Sequence, residues 1–107
     1  MSSDIKNHVQ HIVNMLESGF GDEVNSDGEE FTAFDYLNDI LDIEYIINSK
    51  RELLGARILV AFGGPNIWIN TRTNQVEGYW WGDSCIMSYT DNVGLDEAVQ
   101  ELYCCTV

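Results

Sequence analysis

The chain has 107 residues, 18 acidic side chains against 5 basic ones and a formal net charge of −13 at pH 7, and it is 45 % apolar with 4 Phe, 5 Tyr and 3 Trp. The aromatics and β-branched residues are enough to build a core, so the acidity does not mark a disordered chain. The length allows one domain, 1–107, no apolar run approaches the ~18–20 residues of a membrane span, and so little base excludes nucleic acid as a direct ligand.

The opening MSSDIK has neither a basic n-region nor an apolar h-region, so no secretory leader is expected. Ile5, Val9, Ile12, Val13 and Leu16 recur at helical spacing and predict an amphipathic helix over 4–18, capped by Ser3 and closed by Gly19. Residues 19–30, GFGDEVNSDGEE, form an acidic, glycine-bearing loop. Thr32 followed three residues later by Asp35 is a variant of the capping box. Phe34, Leu37, Ile40 and Leu41 then predict a second helix running to about Asp42.

Residues 43–48, IEYIIN, are β-branched and aromatic and fit a strand better than a continued helix. After the turn signal at 48–51 comes 57–62, RILVAF, apolar on both faces as a central strand is, and broken by Gly63-Gly64-Pro65. Residues 67–71 and 76–81, joined by a polar turn, are the strongest hairpin signal. Gly82-Asp83 is expected to close the sheet. A last helix spans Leu95 to Cys104, with Val99 and Leu102 as core positions and Asp96 and Glu97 near its positive end. The expected fold is α+β: an antiparallel three- to four-stranded β-meander flanked by two N-terminal helices and one C-terminal helix.

Few positions suggest chemistry. His8 and His11 stand one turn apart, but no third metal ligand has convincing spacing, and a helix flank is the plainer reading. Glu23-x-Asn25-x-Asp27-Gly28 resembles the front half of a calcium loop, yet its twelfth position is Phe34, so a solvated loop is preferred and no cofactor is expected. The three cysteines, Cys85, Cys104 and Cys105, are odd in number and fit free thiols in a reducing compartment. No base stands near Cys85 in the sequence to activate it. Gly63-Gly64-Pro65 lacks the lysine and spacing of a phosphate loop.

Two surfaces remain. Residues 17–44 hold ten carboxylates and no base: Glu17, Asp22, Glu23, Asp27, Glu29, Glu30, Asp35, Asp39, Asp42 and Glu44. A helix reaching Asp42 would set Asp35, Asp39 and Asp42 on one face, about 6 Å apart, as a phosphate-like track. The second surface is the hairpin, where strand alternation turns Trp68 outward with either Tyr79 and Trp81, or Trp80.

In its size, its acidic run from Glu17 to Glu44 and its lack of enzyme motifs, the chain resembles the small acidic anti-defence proteins of phages and mobile elements. These are anti-CRISPR and anti-restriction inhibitors, many of which act as nucleic-acid mimics. The resemblance is one of class. It implies a non-enzymatic inhibitor in the cytoplasm of a bacterial host, binding a basic nucleic-acid-binding or effector surface of a CRISPR effector or restriction enzyme. Asp22, Glu23, Asp27, Glu29, Glu30, Asp35, Asp39 and Asp42 would make the electrostatic contact, with Trp68, Tyr79 and Trp81 as packing or a second contact. The alternative is a general interaction module that binds through the aromatic sheet face.

Overall fold

The computed structural model describes residues 2–21, 23–25 and 27–106. Among them the chain runs α1 (Ser2–Ser18), α2 (Ala33–Asn38), β1 (Asp42–Ile47), β2 (Leu53–Ala61), β3 (Asn66–Asn70), β4 (Gln75–Trp80), β5 (Asp83–Ser88) and α3 (Leu95–Thr106). The strands form one antiparallel sheet in the order β1-β2-β3-β4-β5. The α+β class and the meander hold, and residues 43–48 fall almost wholly in β1.

The strand count exceeds the expected three to four because the sheet does not stop at Gly82-Asp83. Trp81 and Gly82 have φ of 54° and 84°. A two-residue turn with both φ positive matches the twist of a hairpin, so the chain reverses and pairs as β5 from Trp80↔Asp83 to Gln75↔Ser88.

On α1 the stripe Ile5, Val9, Val13 and Leu16 is buried, as its spacing required. Gly19, with φ 98°, donates its N–H to the Met15 carbonyl at 2.9 Å and closes the helix. The helix starts at Ser2, so Ser3 lies inside the first turn and not at the cap.

The capping box on α2 is present. Asp35 Oδ2 accepts the Thr32 N–H at 2.9 Å and the Thr32 hydroxyl at 3.0 Å, and the Asp35 N–H donates to Thr32 Oγ1 at 3.3 Å. The helix nonetheless stops at Asn38, four residues short of expectation. Asp39 is the C-cap, and the Leu41 N–H donates to the Leu59 carbonyl at 3.0 Å, which draws the chain into the sheet. Thr32→Ala is expected to cost about 1 kcal/mol and to speed amide exchange in α2 while leaving the strands protected. Equal protection of α2 in both proteins would contradict that role.

α1 lies over β4 and β5, and α3 over β2, on the same face of the sheet. Beneath them Ala56, Ile58, Ile67, Ile69 and Val76 form the core with Leu95, Ala98 and Val99 of α3. Each buried isoleucine contributes about 1.5–3 kcal/mol. Val99 is fully buried and Leu102 packs at the core's edge, matching the sequence reading of α3. The start of α3 is held by Asp91, whose carboxylate accepts the Leu95 and Asp96 N–H groups at 2.9 Å each.

Candidate functional site

Strand alternation puts a second set of side chains on the opposite face of the sheet, where among the described residues no helix packs. The register aligns Asp42, Leu59, Trp68, Glu77 and Ile86 in one row across all five strands. Tyr79 projects from the same face as Trp68, whereas Trp80 points the other way and meets the His8 ring at 6.0 Å. That settles the choice the sequence left open: Trp68 goes with Tyr79.

Trp68 is only half-buried. The Arg57 guanidinium lies 4.3 Å from its ring centre. Arg57 also reaches Glu77 at 3.4 Å and Glu44 at 3.8 Å, and Glu77 Oε1 accepts the Tyr79 hydroxyl at 3.1 Å. Burial, and then the bonded Glu77, raises the Tyr79 pKa above its ordinary value, so the phenol stays a donor. Partly exposed ion pairs contribute at most about 1 kcal/mol each. Their effect here is geometric: they hold Trp68, Glu77 and Tyr79 in fixed positions. Leu59, 9 % exposed, sits in the same row as Trp68 although it lies outside the main core.

The connections β2–β3 and β4–β5 leave the sheet at the same end. There Phe62 is 74 % exposed and Trp81 88 % exposed. A hollow of about 430 Å³ joins the two connections, lined by Gly64 and Asn66 on one side and Tyr79, Trp81 and Gly82 on the other. Antiparallel pairing brings the start of β1 to this end too, because Asp42 lies opposite Leu59, so exposed Leu41 and Asp42 border the aromatic end. Comparison with protein families, with characterised proteins and with solved structures found no match.

The acidic residues are dispersed. Asp35, Asp39 and Asp42 do not share a helix face: Asp35 is in α2, Asp39 is its C-cap and Asp42 opens β1. The phosphate-like helical track is therefore absent. Asp35 is committed to the capping box, and the backbone N–H of Thr32, opposed by desolvation and aided by the Thr32 hydroxyl and Asn25, lowers its pKa. Glu17 is also engaged, accepting the Thr90 N–H at 2.9 Å.

Asp22 lies outside the described residues. Glu23, Asp27, Glu29 and Glu30 are exposed on the loop between α1 and α2. A bridge between Val24 and Glu30 closes this loop. Its organiser is Asn25, whose carbonyl Oδ1 accepts the N–H of Asp27 at 2.9 Å and of Glu29 at 3.0 Å. In this arrangement Asn25 braces the loop. Among the described residues no three His, Cys, Asp or Glu side chains converge as metal ligands. Cys85 is half-buried against the core, and Cys104 and Cys105 are exposed free thiols.

Sequence reading missed Phe62 and Leu41, both assigned to elements that would have buried them. The signal for Phe62 was its place beside Gly63-Gly64-Pro65, where the strand ends and a side chain leaves the sheet.

Proposed function

We propose that the chain is a non-enzymatic protein-binding protein that seats Trp81 and Phe62 in an apolar patch of a partner. The exposed carboxylates of residues 17–44 steer it toward a basic surface. The observation that carries this reading is Trp81. A bulky side chain at φ 54° is held in a backbone region that costs about 1–3 kcal/mol for residues other than glycine. Its 88 % exposure means that the free protein recovers little of that through burial. Tryptophan is also enriched among the residues that dominate binding energy at interfaces.

The net charge of −13 suits the accompanying role. Charges at the rim of an interface raise the association rate and make it salt-sensitive, contributing less to the lifetime of the complex. The class resemblance to anti-defence inhibitors directs the proposal to a basic nucleic-acid-binding or effector surface of a bacterial defence protein, with inhibition by occlusion. In this form the carboxylates attract the partner without imitating a row of phosphates.

The test is capture of a partner from bacterial lysate on the immobilised protein, followed by comparison of two variants on that partner. Trp81→Ala with Phe62→Ala should slow association little and shorten the lifetime of the complex greatly. Glu23→Gln, Asp27→Asn, Glu29→Gln and Glu30→Gln together should mainly slow association and flatten its salt dependence. The opposite ranking would show that charge, and not the aromatic end, carries the contact.

A further inference from the structure

A second hollow shares no residue with the outer face of the sheet. The C-terminal half of α1, the acidic loop and α2 border an open hollow of about 490 Å³. Phe20 is the hub of its wall, with its ring centre 5.2 Å from Phe31 and 5.7 Å from Tyr36. Burial pushes the Tyr36 phenol up to about 12, so this wall is neutral at ordinary pH. Two carboxylates, Glu23 and Asp39, also line the hollow, and both are exposed. His11 lines it as well, and no lysine or arginine does.

A ligand in a hollow with this lining would be sorted by its charge. Aromatic faces attract a cation through the ring quadrupole, and the attraction strengthens as water is excluded. The two rim carboxylates add a longer-range pull of the same sign, and an anion would meet repulsion from both. A neutral apolar group of the same shape would gain from the rings but nothing from the carboxylates. A primary or quaternary alkylammonium has the compact cationic head that aromatic walls of this kind take up.

We infer that this hollow binds an alkylammonium group, packed on Phe20, Phe31 and Tyr36 with Glu23 and Asp39 at its rim. The inference is independent of the proposed role of Trp81, since it needs no captured partner. A free amine and a lysine side chain present the same head, so both forms belong in the test.

The experiment titrates the isotope-labelled protein with choline, with its neutral isostere 3,3-dimethyl-1-butanol, and with a short peptide carrying trimethyllysine. Choline should saturate, with shifts centred on Phe20, Phe31 and Tyr36, and the isostere should bind about tenfold more weakly. Glu23→Gln with Asp39→Asn, both at exposed positions, should weaken choline about fivefold to tenfold with an unchanged spectrum elsewhere. Trp81→Asn should leave choline binding as it is. Tighter binding of the peptide than of choline would assign the site to a protein-borne cation, and the reverse order to a free amine. Equal binding of choline and the isostere, failure of choline to saturate, or shifts centred elsewhere would overturn the inference. The comparison of choline with the isostere needs no variant, so a folding defect cannot obscure it.

Discussion

Gly55→Ala is expected to destabilise the protein by about 2–3 kcal/mol, several times the effect of an ordinary glycine replacement. A Cβ at residue 55 would stand 2.7 Å from both the Cβ and the backbone N of Arg72, and 2.9 Å from its Cα. Backbone at that distance must move. The turn carrying Arg72 is pinned, however: the Thr71 N–H donates to the Ala56 carbonyl at 2.9 Å, and the Ala56 N–H to Thr71 Oγ1 at 2.8 Å. Asn70 Oδ1 accepts the Arg72 and Thr73 N–H groups at 3.0 and 3.2 Å. Relief of the clash therefore breaks buried hydrogen bonds.

Gly78→Ala makes the informative comparison. There the added Cβ would meet side chains, Val9 Cγ2 at 2.5 Å and Ile5 Cδ1 at 2.8 Å, which can yield partly by lifting α1, so about 1–2 kcal/mol is expected. Gly64, with nothing within 4 Å, is the control, and alanine there should be within about 0.5 kcal/mol of neutral. Urea midpoints at constant m-value measure all three. A Gly55→Ala midpoint equal to that of Gly64→Ala would mean that the β3–β4 turn does not rest on β2 as described.

Local patterns are legible in the sequence, and packing between distant elements is not. The stripe Ile5, Val9, Val13, Leu16 could be read from spacing alone, and so could the Thr32–Asp35 cap, because helical period and capping are local. That Gly78 exists to let α1 approach β4 could not be read, since it depends on which helix crosses which strand.

The sequence pattern carries α2 past its actual end at Asn38 because Ile40 and Leu41 continue an apolar period. The hydrogen bond from Leu41 to Leu59, eighteen positions away, decided otherwise, and with it went the expected face of Asp35, Asp39 and Asp42. β5 is not legible in the sequence because DSCIMS carries little β-branched character and because a turn built on Trp81-Gly82 lacks the usual asparagine or aspartate. That atypical turn residue is the one the proposed contact rests on, and the proposal needs its φ of 54° and its 88 % exposure together.

Trp81→Asn is expected to act in opposite directions on the fold and on binding. Asparagine enters the left-handed region readily, and Asn followed by glycine is the favoured pair for this two-residue turn. With Trp81 88 % exposed, little packing is lost, so a gain in stability of about 1 kcal/mol is expected, read as a higher urea midpoint. Most substitutions destabilise, so a gain from removing a tryptophan is a specific expectation. A destabilisation of similar size would show that the indole packs usefully in the free protein.

The binding half of the expectation is larger. A central aromatic anchor contributes about 2–4 kcal/mol to an interface, or roughly 30- to 1,000-fold in affinity. In the proposed contact the indole enters the partner and does not steer the encounter, so the loss should fall on the dissociation rate. Salt dependence, set by the exposed carboxylates, should be unchanged.

The most direct measurement of the central claim is therefore the affinity of the captured partner for the wild-type protein and for Trp81→Asn, taken alongside their urea midpoints. A variant that is more stable and binds at least about 30-fold more weakly is the predicted result. A variant that binds as tightly as the wild type would contradict the assignment of Trp81 as the contact residue.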